Sequence, residues 1–432
     1  MKYQKILADY FENHMSEILQ DLKEIISIKS VADVNSPQKP FGAGSRAALD
    51  WGMKFMENIG MSVRDFDGYA VRGDFSDDGK PDLAILAHLD TVPASDGWSF
   101  PPFDLTESDG KLYGRGTIDD KGPAVAALWA AKAIRELNIP VKNFRIIFGG
   151  NEEGGCEDME YYEKQERFPK NVFTPDGSFP VLNCEKGMIH LTFSAEFNDK
   201  IIDSITGGTV INAIPDKCVV GFGGYEANVY TGKASHGSRP ENGENAITMF
   251  LSDSDFAERN SLLGGLKKLF PHGEYNGKSC GLGFSDSVSG EMTCALTMLK
   301  TENGRLCGGI DVRFPIDRTL SEISGILKDS LEKAGFEIDS CDGMEPHFVD
   351  EKSDFVQTLL KVYENVKGEK GYCIAEGGIT YVHNTPGAVA FGAEFPDENN
   401  NMHGDDEHIS LETFEYNLNM YANAICELQG IS

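Results

Sequence analysis

The sequence is short of basic residues and of long apolar runs, and each shortage argues against a class of partner. Its 432 residues contain 39 lysines and arginines against 69 aspartates and glutamates, which gives a net charge of −30. Nucleic acids and anionic membrane surfaces both attract basic side chains, so neither suits this chain. No stretch reaches the roughly 18 consecutive apolar residues of a membrane-spanning helix. We therefore expect neither nucleic acid nor a membrane as a partner.

The sequence also lacks paired cysteines and a secretion signal. Its nine cysteines are an odd number, scattered from Cys156 to Cys426 without a CxxC pair. Such a pattern is typical of reduced thiols in the cytosol. The N-terminal stretch MKYQKILADYFENHMSEILQDL has no signal-peptide apolar core and predicts an amphipathic helix. We predict a cytoplasmic protein.

What the chain does contain is a succession of strands and helices, long enough for two or three domains. Residues 1–30, GSRAALDWGMKFMENIG and PAVAALWAAKAIREL predict helices, and VRGDF, LAILA and FRIIFGG predict strands. Strands that alternate with helices indicate an α/β fold with helices on both faces of the sheet.

The pattern changes near residue 188 and changes back near residue 345. MIHLTFSAEF and KCVVGFGGYEANVYTG alternate like strands of a half-exposed sheet, and SEISGILKDSLEKAG predicts a helix on that sheet. The later segments DFVQTLLKVYENV and AVAFGAEF return to the α/β style. We predict a discontinuous α/β domain of residues 1–187 and 346–432, and an inserted α+β domain of residues 188–345.

Polar residues collect where the predicted strands of the first domain end. In open α/β sheets, ligand sites form at the carboxyl ends of strands. Each residue alone is weak evidence, because a strand-end histidine is more often structural and DD or EE pairs are usually solvated turns. Their joint occurrence predicts an N- and O-rich site for two divalent metal ions. The residues are His88, Asp90, Asp119, Glu152, Glu153, Asp176 and His403.

The residue types suggest how such a site is built. Two cations about 3.5–4 Å apart need a bridging carboxylate and terminal ligands on each side, and Asp119 is the candidate bridge. One end would be completed by His88 and Asp176, and the other by His403 and Glu153.

Two carboxylates are left over for other tasks. Glu152 is then available as a base for a metal-bound water. Asp90 is placed to accept the second ring N–H of His88 and so to fix its tautomer.

Six segments in order resemble the motifs of the M20 metallopeptidases, and most closely those of the dipeptidase V-like (PepV-like, Xaa-His dipeptidase) branch. The segments are HLDTVP, GRGTIDDKGP, NEEGG, TPDGSFP, ASHGSRPENGENA and HGDDEH, from residue 88 to residue 408. The resemblance implies a zinc-peptidase-like catalytic domain with a mixed sheet, two zinc or manganese ions, and a lid domain that closes over the substrate. It implies a cis peptide between Asp119 and Asp120. It assigns the same five metal ligands, with Glu152 as general base.

The resemblance also implies roles for residues of the lid. His236 of ASHGS would stabilise the oxyanion, while Asn212 of INAIPD and Arg313 of DVRFP would bind the substrate. A planar arginine fork suits a carboxylate. The plain alternatives are a turn-rich loop around His236 and a surface salt bridge at Arg313.

A further motif departs from the family pattern. Family members commonly have GGTYAR near the site, whereas this chain has EGGITYVHN, with an extra Ile379 and with His383 where an arginine is common. We predict that the backbone N–H groups of Gly377 and Gly378 face the substrate.

These features predict an aminoacyl dipeptidase in which Glu152 activates a water between two metal ions. Zinc is our first choice, with manganese or cobalt as alternatives, because an N/O site accepts all three. Alternative functions are an N-acyl amino acid deacylase or carboxypeptidase on the same fold, and a non-enzymatic binding protein. The resemblance also has an implication for assembly: in M20 enzymes whose lid is a single unit of strands and helices, a second subunit often completes the site, whereas the dipeptidase V-like branch has an enlarged lid that does so within one chain. The inserted domain is longer than four strands and two helices need, at about 6 residues per strand and 12 per helix. We therefore predict a monomer; the alternative is that the extra residues form a passive loop and that the enzyme dimerises through its lid.

Overall fold

The computed structural model describes residues 1–223, 225–253 and 259–430, and the chain divides into two compact units. The first unit contains Met1–Asn183, Val349–Ile374 and Ile379–Ser432, and the second contains Cys184–Phe348 and Ala375–Gly378. The boundaries predicted after residues 187 and 345 lie a few residues away from these. No feature of the sequence predicts that Ala375–Gly378 belongs to the second unit.

The described residues form ten α-helices and two short 3₁₀ helices. The 3₁₀ helices are Pro240–Asn242 and Lys278–Cys280. No helix in the described part of the chain combines the length and apolar character needed to cross a bilayer. The α-helices are α1 (Gln4–Ile26), α2 (Gly42–Asn58), α3 (Lys121–Glu136), α4 (Glu157–Gln165), α5 (Ala246–Ser252), α6 (Ser261–Leu269), α7 (Leu320–Lys333), α8 (Asp354–Lys367), α9 (Tyr381–Asn384) and α10 (Leu411–Gln429).

The strands fall into one large sheet in each unit and three small sheets. They are β1 (Ser62–Phe66), β2 (Ala70–Asp74), β3 (Leu83–His88), β4 (Thr106–Ser108), β5 (Lys111–Tyr113), β6 (Arg145–Gly149), β7 (Asn171–Thr174), β8 (Val181–Glu185), β9 (Gly187–Glu196), β10 (Ile202–Gly207), β11 (Ala213–Ile214), β12 (Lys217–Phe222), β13 (Tyr225–Thr231), β14 (Ser235–His236), β15 (Ser285–Asp286), β16 (Gly290–Glu291), β17 (Thr293–Glu302), β18 (Arg305–Phe314), β19 (Glu337–Met344), β20 (His347–Phe348), β21 (Cys373–Glu376), β22 (Ala388–Ala390) and β23 (His408–Ser410).

The first unit is built on a mixed sheet with the strand order β1-β2-β6-β3-β7-β22-β8. The central strands β6, β3, β7 and β22 run parallel, while β1 and β2 are antiparallel. Every residue of β3 is buried, since successive side chains point to opposite faces and both faces are covered. Leu83 and Ile85 join the larger apolar core, and Ala84 and Leu86 join a smaller one. The predicted mixed sheet between helices is confirmed.

The second unit is built on a seven-stranded antiparallel sheet with the order β13-β12-β10-β17-β18-β9-β19. Its own apolar core contains buried residues from β9, β10, β12, β17 and β18 and from α5, α6 and α7, and partly buried residues of β13 and β19 pack against it. The two alternating segments of the sequence form β9, β12 and β13. Gly224, inside the second of them, lies outside the described residues.

One predicted strand is shorter than its apolar run. AVAFGAEF forms a strand only over Ala388–Ala390. Gly392 has a φ of 96°, a left-handed value that a strand does not accommodate, so the chain leaves the sheet there. The strand assignment for residues 391–395 is therefore wrong.

Candidate metal centre

The site begins where β3 ends. His88 is the last residue of β3, is fully buried, and lies opposite Gly149 at the end of the parallel strand β6. Its Nε2 is 2.9 Å from Asp119 Oδ1, and the other oxygen, Asp119 Oδ2, is 2.8 Å from His403 Nε2. One carboxylate therefore lies between two histidine rings.

Two groups of ligand atoms share this carboxylate. One contains His88, Asp119 and Asp176, and the other contains Asp119, Glu153 and His403; within each group the atoms lie within 4.8 Å of one another. These are the two sets of ligands predicted from the sequence, with Asp119 common to both.

The donor set fits divalent cations. It consists of imidazole nitrogens and carboxylate oxygens, which suit zinc, manganese or cobalt. Glu153 Oε1 is 3.1 Å from His403 Nε2, yet this nitrogen is directed at Asp119, and Glu153 Oε1 is a buried oxygen without a hydrogen bond. A cation among these atoms would satisfy that oxygen.

The carboxylates of the cluster favour protons on the two histidines. The hydrogen bond to Asp119 and the nearby carboxylate of Glu153 raise the pKa of His403 to about 11. Burial opposes the charge on Asp119, but hydrogen bonds from His403 and His88 hold the pKa of its carboxyl below the usual range. Metal binding must displace these protons, so affinity should fall as the pH falls.

A buried carboxylate connects the first histidine to the neighbouring glutamates. Asp90 is fully buried, and its Oδ1 is 3.4 Å from His88 Nδ1. The same carboxylate accepts the backbone N–H of Glu152 at 3.0 Å and that of Glu153 at 3.1 Å. Burial, together with Asp176 and Glu153, raises the pKa of Glu152 well above its ordinary value, against the effect of His88.

Glu407 is a further residue of the site that the sequence does not single out, although it lies within HGDDEH. Its buried Oε1 accepts backbone N–H groups of Gly116 at 2.9 Å and Ile118 at 3.1 Å, and Oε2 is 2.5 Å from Arg115 Nη1. Glu407 thus fixes the loop that presents Asp119. The only signal in the sequence was the acidic run itself, which does not reveal a contact nearly 300 residues away.

Asp120, the neighbour of the candidate bridging residue Asp119, also forms a hydrogen bond with the backbone. Asp120 Oδ2 accepts the N–H of His88 at 3.1 Å. The peptide bond between Asp119 and Asp120 is cis, as the resemblance implied.

The predicted lid residues all belong to the second unit. Gly237 donates its N–H to the carbonyl of Asn212 at 2.7 Å, and His236 Nδ1 is 2.7 Å from Ser238 Oγ. Ser238 in turn lies next to Gly377, where an added Cβ would be 2.9 Å from the serine Cβ. Gly378 follows in the same short segment, Ala375–Gly378.

Arg313 is buried rather than at the surface. Its Nε and Nη2 donate to Asp311 at 3.0 and 2.8 Å, and its Nη1 donates to the Gly377 carbonyl at 2.8 Å. Both side chains of the ion pair are at most 4% exposed, so the alternative of a surface salt bridge is wrong.

Together, the fold and the cluster define a class: a two-unit α/β protein in which residues at the strand ends of the larger unit could hold two cations. Residues 84–427 match the model of Peptidase family M20/M25/M40, and the chain belongs to this family. The predicted class of enzyme, an M20 metallopeptidase, is confirmed.

Relatives extend the match over nearly the whole chain. It is 31% identical to "Putative dipeptidase YtjP" of Bacillus subtilis (strain 168), with 95% of this chain and 97% of that protein covered. It is also 31% identical to "Beta-Ala-Xaa dipeptidase" of Lactobacillus delbrueckii subsp. lactis, with 95% and 96% covered. The crystal structure of human carnosine dipeptidase 1 shares the fold, with a TM-score of 0.67 at 16% identity over 99% of this chain and 98% of that one.

Proposed function

We propose that this enzyme is a dipeptidase that depends on two divalent metal ions. The observation that carries the proposal is the pair of ligand groups that share Asp119, beside Glu152, which belongs to neither group. The names of the relatives, including a beta-Ala-Xaa dipeptidase, support a dipeptide as the substrate.

The metal ions would be held by His88, Asp119, Asp176, Glu153 and His403. When bound, they supply Lewis-acid polarisation of the scissile carbonyl and a lowered pKa for a water molecule.

The remaining chemistry belongs to the side chains. Glu152 accepts a proton from the attacking water on its carboxylate and passes it to the nitrogen of the leaving amine when the C–N bond breaks. Asp90 holds the backbone of Glu152 and thereby the position of its carboxylate.

The second unit would recognise the substrate. In this proposal Arg313 and Asn212 bind it, the N–H groups of Gly377 and Gly378 face it, and His236 stabilises the oxyanion. The buried, hydrogen-bonded setting of Arg313 supports a fixed guanidinium rather than a solvated one.

Finer assignments belong to the same proposal. We propose zinc as the metal, with manganese or cobalt as alternatives, since the donor set accepts all three. A cytoplasmic location is supported by the odd, scattered cysteines.

A substrate and metal screen tests the proposal. The metal-depleted enzyme would be given zinc, manganese or cobalt in turn and assayed with free dipeptides, β-alanyl dipeptides, N-blocked dipeptides and N-acyl amino acids. A dipeptidase hydrolyses the free dipeptides and needs a metal. Hydrolysis of N-acyl amino acids alone would favour the deacylase alternative, and no hydrolysis with any metal would favour the binding protein.

A further inference from the structure

Four consecutive backbone N–H groups, from Gly150 to Glu153, are held by two buried carboxylates. Asp90 holds the last two, as described above. Asp158 Oδ2 accepts the first two, from Gly150 and Asn151, both at 2.8 Å. Both aspartates have no exposed surface. Because a buried carboxylate is costly unless several donors satisfy it, its hydrogen bonds are held firmly.

A third donor to the same oxygen of Asp158 comes from a distant part of the chain. The hydroxyl of Tyr381, at the start of α9, donates to Asp158 Oδ2. Tyr381 is also fully buried. Burial raises the pKa of its hydroxyl, so the group remains a donor at neutral pH.

The space around this contact is closed. An added Cβ at Gly149 would lie 2.0 Å from the Tyr381 hydroxyl and 2.4 Å from Asp158 Oδ2, so only glycine fits at the end of β6. The other oxygen, Asp158 Oδ1, accepts the N–H of Met159 at 2.7 Å in the first turn of α4. The carboxylate is therefore fixed by a helix on one side and by a tyrosine on the other.

We propose that Asp158 and Tyr381 are positioning residues for Glu152. Together with Asp90 they immobilise the loop of residues 150–153, and so place the carboxylate of the base relative to that of its neighbour Glu153. Neither residue need touch the substrate. The inference rests on the proposed role of Glu152 as general base. A misplacement of about 1 Å in a catalytic group can cost about 100-fold in rate.

The test is Tyr381→Phe, which removes one hydroxyl and keeps the ring. We expect kcat to fall at least ~10-fold, with KM changed less than ~2-fold and metal content retained, because only the transition-state placement is lost.

A matched control is Tyr162→Phe. Tyr162 is equally buried in the same small core, but its hydroxyl is 2.8 Å from Arg145 Nη1 rather than on Asp158. Its kcat should stay within ~2-fold of wild type, because it does not hold the loop. Loss of metal in Tyr381→Phe, or an equal fall of kcat in the control, would overturn the inference.

A double-mutant cycle separates positioning from a general structural role. In the background of Glu152→Gln, the added Tyr381→Phe should cost less than ~2-fold in kcat, because its effect acts through the missing base. If Tyr381→Phe lowers kcat as much in the Glu152→Gln background as it does alone, the role of Tyr381 is only structural. If Tyr381→Phe does not fold, Asp158→Asn is carried through the same cycle. Full activity of Glu152→Gln alone would instead remove the base assignment, and the inference with it.

Discussion

Glu152 and Glu153 are adjacent in the sequence, yet their surroundings suit them to different tasks. Glu153 belongs to a ligand group with Asp119 and His403, whereas Glu152 belongs to neither ligand group among the described residues. Their backbone N–H groups are held by the two oxygens of one carboxylate, that of Asp90. In the proposed mechanism, the fixed backbone places the side chain of Glu153 among the ligands and leaves Glu152 as the proposed base.

Glu152→Gln should separate these tasks. It removes a base and no ligand, so turnover should fall by about 10²–10⁴-fold while the metal content persists. Steady-state kinetics and elemental analysis of the same preparation measure both quantities. Glu153→Gln is the comparison, and it should lose metal. The opposite pattern of metal loss would mean that the roles of the two glutamates are exchanged.

A second residue-scale prediction concerns the buried ion pair of the lid. Burial alone would raise the pKa of Asp311, but hydrogen bonds from His190 and Arg313 lower it below the ordinary value. A carboxylate with a lowered folded-state pKa stabilises the protein above the unfolded pKa, and this contribution is lost as the pH falls through the folded pKa.

Asp311→Asn should therefore lower the free energy of unfolding by about 3–5 kcal/mol at pH 7, because Arg313 loses its buried partner. The difference in free energy of unfolding between this variant and the wild type should shrink below about pH 4, where aspartate in the unfolded chain becomes protonated. Urea unfolding of the metal-free proteins from pH 7 to pH 3.5 measures it. The control is Glu337→Gln, which breaks an exposed ion pair with Arg305, a residue on the same strand as Arg313. This change should alter the free energy of unfolding little. A difference for Asp311→Asn that does not depend on pH would contradict the assignment.

A functional residue can be predicted from the sequence when a local signal marks it, and not when its role depends on contacts with distant parts of the chain. His88, Asp119 and Glu153 are found because each follows or precedes an apolar element, a local signal, and the family motifs reinforce it. Asp158 and Tyr381 are separated by 223 residues, and although Tyr381 lies within EGGITYVHN, nothing in either segment indicates that the two side chains meet. Their pairing exists only once the strand ends are brought together.

Among the strands and helices, the sequence best predicts those that are buried on both faces. Strand β3 and helix α3 are continuous apolar segments, and both form where expected. The small sheet of β4, β5 and β23 is not predicted, because its three-residue strands are too short for a readable alternation. Strand β22 is shorter than predicted because of one backbone angle, the φ of Gly392, which an apolar run does not reveal.

Helix α3 should be the most sensitive element of the first unit. It buries nearly all of its residues, packs against α1 and α10, and includes the fully buried Leu128. Leu128→Ala should cost about 2–5 kcal/mol, from lost apolar burial and the cavity left behind. Ile6→Ala, at a 47% exposed position in α1, is the control and should stay within about 0.5 kcal/mol. The midpoints of urea unfolding compare the two variants. Equal losses of stability in both would contradict the sensitivity expected of α3.

At the scale of the whole molecule, the size of the inserted domain is the informative feature. The second unit contains a seven-stranded sheet with three described α-helices, more than the four strands and two helices of a single sheet-and-helix unit. The additional chain includes the Gly-rich stretch between α6 and β17. This surplus supports a lid that completes the site without a second subunit.

We therefore expect an active monomer in which His236 and Arg313 serve the metal site of their own chain. Light scattering at the assay concentration gives the mass. A mixing test of Glu152→Gln with His236→Ala then asks whether sites are shared, because each variant lacks a group that the other retains. Without sharing, the mixture stays as inactive as its components. A dimer whose mixture regains activity would mean that the lid acts on a partner chain, and the extra residues of the inserted domain would then need another role.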